Sequence, residues 1–233
     1  MERKINYWAI AVFYIIAIIC RYAAVKTDLL SGISNGYLVI LLRGVGPALG
    51  AIAAVTIFSL PNKFSLKGTY TNIVLPFAVY WILPAFLIAG VYYFIEGKFP
   101  ILLMFTVLVY GLLEEIGWRG FLQEELKPLR TLYANLIIGL LWFIWHLNLE
   151  MTASNLIFLG IIFFGTWGIG KIYNKTSSLL AVAGVHSLNN FFRNGLHQTE
   201  LILIVVLLAI WIGFIIFYDR KNKPKYDLDS SNA

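Results

Sequence analysis

The feature that most limits this chain is the recurrence, from end to end, of apolar runs about 20 residues long divided by short polar loops. A helix needs roughly 20 residues to cross a 30 Å hydrocarbon core, so each run is a candidate membrane span. The runs fall at 6–24, 37–60, 71–95, 100–123, 131–149, 154–173, 177–193 and 201–218. Of the 233 residues, 60% are hydrophobic and only 13% charged, which excludes a soluble domain of this size. The expected fold is an all-α polytopic membrane bundle of about eight transmembrane helices, a single integral membrane domain over 1–233 with a basic tail at 219–233.

Lysine and arginine set the expected orientation. Alternate loops counted from the N-terminus hold Arg3, Lys4, Lys63, Lys67, Lys127, Arg130, Lys171 and Lys175, and the tail adds Arg220, Lys221, Lys223 and Lys225. The intervening loops hold only Arg21, Lys26, Lys98 and Arg193, so both termini are expected to be cytoplasmic. The first run lacks a small-residue cleavage site before Arg21 and reads as an uncleaved anchor. The net charge of +6 follows the same asymmetry and is accompanied by no phosphate loop, zinc ribbon or nucleic-acid module. The expected partner is therefore the bilayer, with no nucleic acid. Cys20 is the single cysteine, able to form neither an internal disulfide nor a metal site by itself.

Within this apolar background, residues 110–125 read YGLLEEIGWRGFLQEE and put two carboxylates and a guanidinium inside the fourth run. An ionised side chain at bilayer depth costs a few kcal/mol or more, so these groups need partners or a task. Glu115 and Arg119 are four residues apart and share a helix face, an ion pair that would brace the helix. Glu114 points about 100° away and has no partner on its own helix. In the fifth run Trp142 and His146 share a face, and in the seventh His186 and Asn190 do, just after the small residues Ala183 and Gly184. The third histidine, His197, falls in a loop. The ten other acids fall in loops, tails or span ends, and Gln123 to Arg130 is expected along the cytoplasmic surface.

Polar groups thus gather on the fourth, fifth and seventh runs, marking 100–193 as a candidate catalytic core. A glutamate and a histidine around a restricted aqueous pocket can deprotonate a water, the general-base step of amide hydrolysis. A second histidine and an asparagine on one face can donate to the oxygen that turns negative when this water attacks a carbonyl. This assigns Glu114 as base, His146 as its water-positioning partner and His186 with Asn190 as oxyanion donors. Straight helices put Glu114 about 18 Å and His146 about 24 Å from the cytoplasmic ends of their spans, a mismatch near 6 Å.

Glu114-Glu115-x-x-x-Arg119, Trp142-x-x-x-His146 and His186-x-x-x-Asn190, in this order across a membrane bundle, resemble the CAAX protease and bacteriocin-processing (CPBP, or Abi) family of intramembrane proteases. The second motif of that family usually begins with Phe, and Trp142 keeps an aromatic pocket wall. The resemblance implies a glutamate-dependent endopeptidase acting on a peptide or membrane-tethered protein, with Glu114, His146 and His186 catalytic. Eukaryotic members act on prenylated C-terminal motifs, and bacterial members are linked to peptide maturation, signalling or immunity. Composition and size suit a bacterial member in the plasma membrane. No cofactor is favoured, although Glu114, His146 and His186 could complete an open zinc site. Two other readings compete: a non-catalytic scaffold or immunity protein on the same fold, and a proton-coupled transporter, which would normally show two related halves.

Overall fold

The computed structural model describes residues 4–191, together with Val206, Ala209, Ile210, Ile212, Gly213, Ile216 and Phe217. The span expected at 201–218 falls mostly outside the described residues, and His197 and the basic tail fall wholly outside them. Helices α1 (Tyr7–Lys26), α2 (Gly36–Gly44), α3 (Gly46–Ile57), α4 (Val74–Phe77), α5 (Leu83–Glu96), α6 (Ile101–Glu115), α7 (Thr131–Trp145), α8 (Ala153–Thr176) and α9 (Leu179–Asn189) follow in order, and the described residues include no strand. Two π-helical segments interrupt the regular pattern, Ala78–Ile82 between α4 and α5 and Ile116–Gln123 after α6. The chain is a polytopic helical membrane bundle. Large apolar side chains such as Trp8, Ile15, Phe86, Phe94, Phe105 and Phe164 stand outward, as a lipid-facing surface requires.

Polar residues start the helices where the sequence supplies them. The side chains of Asn6, Asn35, Thr152 and Ser178 accept from the first-turn amides of α1, α2, α8 and α9. At the other end of α5, Gly97 closes the helix in the left-handed region at φ 67°. The second expected span is broken at Val45, so that Pro47 enters the first turn of α3, where its missing N–H costs nothing. The third holds Pro76 and Pro84 on either side of its π-helical segment.

Among the described residues, five helical stretches are long and apolar enough to cross a membrane: 7–26, 36–57, 74–96, 101–123 and 153–176. The runs expected to span at 131–149 and 177–193 are shorter than drawn. The 15 residues of α7 and 11 of α9 rise only about 22 and 16 Å, less than the roughly 30 Å core. Leu147, at φ 58°, turns the chain out of α7 directly after His146. Both histidine-bearing helices thus end within the depth of the bundle, where non-helical backbone needs protein or a wet cavity around it.

Small residues set the closest approaches. A Cβ on Gly46 would lie 2.8 Å from the Ala17 carbonyl, and one on Gly50 would strike the Phe13 backbone, so this G-x-x-x-G pair seats α3 directly on α1. Gly111 similarly admits α9: its Cβ would stand 3.0 Å from the Ala183 carbonyl. In turn α1 holds α7 through Tyr14 Oη to the Leu141 carbonyl (2.9 Å) and Trp145 Nε1 to the Ala17 carbonyl (3.1 Å). Two packed clusters result. One gathers Phe13, Trp118, Phe121, Trp142, Trp145 and Tyr173, the other Trp81, Ile88, Val107, Leu108, Leu188 and Phe191, and Leu112 and Val185 touch both. The acid pair of α6 lies along this seam.

Candidate active site

Because α6 and α9 meet at Gly111, the last turn of α6 lies against the middle of α9. Glu115 and Arg119 keep the spacing read from the sequence, with Arg119 Nε donating to Glu115 Oε2 at 2.9 Å and both residues fully buried. The second oxygen of Glu115 is also engaged: Oε1 lies 2.7 Å from His186 Nδ1. Glu115 therefore joins Arg119 to His186 across two helices. A carboxylate only accepts, so Nδ1 carries the proton and Nε2 is the free edge of the His186 ring.

That free edge faces Glu114, with Nε2 3.9 Å from Glu114 Oε2. The same oxygen accepts from Trp142 Nε1 at 2.9 Å and, more weakly, from Trp118 Nε1 at 3.4 Å. Glu114 is 1% exposed. Its partners come from the turn that follows on its own chain and from α7, so the acid with no helical salt-bridge partner is held by two indoles. Trp142 also sets its ring edge-on to His186, with centroids 5.0 Å apart. Glu114, Glu115 and Arg119 together carry one formal negative charge. One proton on either His186 or Glu114 makes the buried cluster neutral.

The π-helical segment follows the acid pair directly, and Gly117 to Gln123 within it are all buried. Such widened turns gather at functional positions because they re-aim side chains within a continuous helix. Gly117 lets this segment rest on α3, since a Cβ there would lie 2.5 Å from Pro47 Cβ. Gln123 then ties it to α8 through the Gly170 carbonyl (3.2 Å) and Asn174 Oδ1 (2.8 Å).

His146 stands apart from this knot. It makes no hydrogen bond or ion pair with Glu114 or His186; its Nδ1 bonds the Trp142 carbonyl at 2.8 Å, leaving Nε2 free. Its ring, half-buried, lies between Trp145 and Phe158 at centroid distances of 5.1 and 4.9 Å. The charges of Glu114 and Arg21 both reach it. The residue level with Glu114 is Trp142, one helical turn earlier, and one turn is the 6 Å mismatch that straight-helix geometry gives between Glu114 and His146. Asn190 follows the last turn of α9 at φ −80°, ψ −7°, and its buried Nδ2 has no hydrogen-bond partner among the described residues.

Two roles were not visible in the sequence. Glu115 was read only as the brace of Arg119, and Trp142 only as an aromatic wall. The signal for Trp142 was present in its type, since an indole N–H in an apolar bundle needs an acceptor. Glu124 and Glu125, expected along the surface, are 5% and 2% exposed. The correction has a simple cause: Lys127 pairs with Glu124 at 2.6 Å and the Asn6 amide donates to Glu125 at 3.3 Å, so both acids are compensated where α1 closes over them.

The described residues contain no group of three His, Cys, Asp or Glu side chains spaced to hold a metal ion. The bonds that Glu114 Oε2, His186 Nδ1 and His146 Nδ1 make leave Glu114 Oε1 and the Nε2 atoms of both histidines without a hydrogen-bond partner among the described residues.

Residues 96–192 match the family model described as type II CAAX prenyl endopeptidase Rce1-like. That region contains Glu114, Glu115, Arg119, Trp142, His146, His186 and Asn190. The chain is also similar to CAAX prenyl protease 2 of Methanococcus maripaludis, 28% identical over 156 residues, covering 58% of this chain. The match spans 56% of that relative's length. With the three motifs inside the matched region and two of them joined by the Glu115–His186 contact, residues 96–192 are similar to the Rce1-like CAAX prenyl endopeptidases.

Proposed function

We propose that the protein is an intramembrane endopeptidase that hydrolyses a peptide bond of a membrane-associated protein or peptide, with water activated by Glu114. The observation that carries this reading is the 3.9 Å gap between Glu114 Oε2 and His186 Nε2 in a buried, indole-lined seam. The two groups are too far apart to bond each other, yet one water can sit about 2.8 Å from both. Glu114 then takes the water's proton as the oxygen attacks the carbonyl. His186, as an imidazolium that donates through Nδ1 to Glu115, donates through its second proton on Nε2 to the oxyanion. Asn190, whose Nδ2 has no partner among the described residues, supplies the second donor. His146 presents Nε2 from the end of α7, the helix whose Trp142 bonds Glu114, and is assigned to orient the water or the leaving amine. Trp142 keeps the carboxylate of Glu114 in place.

The family match and the named relative support a C-terminal, prenyl-bearing peptide as the substrate class to test first, and a bacterial plasma membrane is the setting that composition and size suit. The chemistry is assigned to glutamate and histidine without metal, a reading that elemental analysis for zinc tests. The test compares membrane-associated peptides, and cleavage of a farnesylated C-terminal peptide, between wild type and Glu114→Gln. Wild type should cleave and the variant should not, while accumulating equally in the membrane. Equal products from both would reduce the fold to a scaffold, and a defect confined to ion-coupled uptake would make it a carrier.

A further inference from the structure

A cavity of about 520 Å³, separate from the acid pair, opens at the end of the bundle where α3, the π-helical segment and α8 finish. Its lining includes Asn62, Lys63, Ser65, Glu124, Lys127 and Tyr173, none of which belongs to the site described above. Along the helix, Glu124 lies ten residues beyond Glu114, roughly 15 Å away. The volume falls within the roughly 300–1,000 Å³ of small-molecule sites.

One wall is the loop 58–73, which is clamped to the α8–α9 junction. Thr69 donates through N and Oγ1 to the Thr176 carbonyl (2.9 and 3.1 Å), Leu179 N donates to the Ser65 carbonyl (2.9 Å) and Ser178 Oγ to the Leu66 carbonyl (2.5 Å). Gly68, at φ 63°, passes so close to Thr176 and Ser177 that any Cβ would strike their backbone. The wall is therefore held in place by backbone bonds and a glycine-only turn.

Its hydrogen-bonding capacity is lopsided. Glu124, the one acid of the lining, is already used: Lys127 pairs with it at 2.6 Å and the Tyr173 hydroxyl bonds it. Lys63 forms no ion pair among the described residues. Asn62 uses only Oδ1, accepting from Phe64 N at 2.7 Å, so its NH₂ is free. Ser65 Oγ accepts from Gly68 N at 2.8 Å, leaving its O–H to donate. Three donor groups and one surplus positive charge thus face a cavity whose carboxylate is spent. Apolar side chains flank the same loop, with Leu66, Val74 and Leu75 all more than half exposed, as at the edge of the hydrocarbon layer. Basic pockets between membrane helices at this level suit anionic headgroups.

We infer that this cavity binds the phosphate of an anionic headgroup, with Lys63, the Asn62 amide and the Ser65 hydroxyl as its donors. Thermal unfolding of the purified full-length chain in neutral detergent tests it, titrated with dioctanoyl phosphatidylglycerol, with dioctanoylglycerol, which lacks the phosphate, or with inorganic phosphate at constant ionic strength. Phosphatidylglycerol should stabilise the protein and dioctanoylglycerol should not. Lys63→Gln should weaken the effect roughly fivefold, the share of one interfacial lysine. Asn62→Asp, which keeps the acceptor for Phe64 N but replaces the donor with a charge, should weaken it further, and Lys98→Gln, in the turn at the opposite end of the bundle, should leave it unchanged. If inorganic phosphate alone stabilises, and does so only with Lys63 intact, the phosphate comes from solution. Equal responses to the two lipids with no response to phosphate, or titrations that Lys63→Gln and Asn62→Asp leave unchanged, would overturn the assignment.

Discussion

Glu115 is bonded at once to Arg119 and to His186, and a double-mutant cycle can separate the two bonds. Glu115→Leu leaves the guanidinium of Arg119 fully buried with no acceptor, since its Nη1 and Nη2 already lack partners. Removing one member of a buried ion pair costs about 3–5 kcal/mol, or two to four orders of magnitude in the folding equilibrium. Adding Arg119→Met takes away the stranded charge and its orphaned donors. Replacing both members of such a pair with apolar residues is often neutral or stabilising, so the double variant should recover about 3 kcal/mol or more. Unfolding in detergent with increasing SDS measures this. Activity should not recover, because His186 Nδ1 would then face a leucine and lose the carboxylate that orients the ring and favours its imidazolium. Removing such an acceptor costs about 10⁴ in a serine-protease triad, so a loss of 10² or more in kcat, with KM little changed, is expected. Full recovery of kcat alongside stability would refute the positioning role and leave Glu115 as a helix brace alone.

Other outcomes follow from single contacts. Trp142→Phe removes the 2.9 Å donor to Glu114 and should destabilise the fold by about 1.5–3 kcal/mol, the scale of a bond to a charged group. Because Phe is usual at this motif position, farnesyl-peptide cleavage should persist at a reduced rate, and complete loss in a folded variant would assign the indole a larger part. Gly117→Ala forces a methyl into Pro47 and should cost about 1–3 kcal/mol, whereas Gly165→Ala, which meets open space, should change SDS unfolding by less than about 1 kcal/mol. Equal effects would mean that α3 and the π-helical segment are not in close contact. Elemental analysis of active purified protein should give well under one zinc per chain, with activity insensitive to chelators; stoichiometric zinc with chelator-sensitive cleavage would overturn the metal-free assignment.

Much was legible from the letters alone. Apolar run length gave the membrane bundle, because the bilayer imposes one thickness on every crossing helix. Four-residue spacing gave the Glu115–Arg119 pair, because helix geometry is local. The motif order gave the resemblance to CAAX proteases that the match over 96–192 repeats. Tertiary structure alone decided which side chains meet across helices. Nothing near Glu115 in sequence names His186, 71 residues away; the contact exists because Gly111 lets α9 approach α6. Nor does sequence tell that Trp142, and not His146, lies level with Glu114, since this depends on where α7 begins relative to α6. A one-turn shift exchanges an indole for an imidazole opposite the acid, and only packing against α1 sets that register.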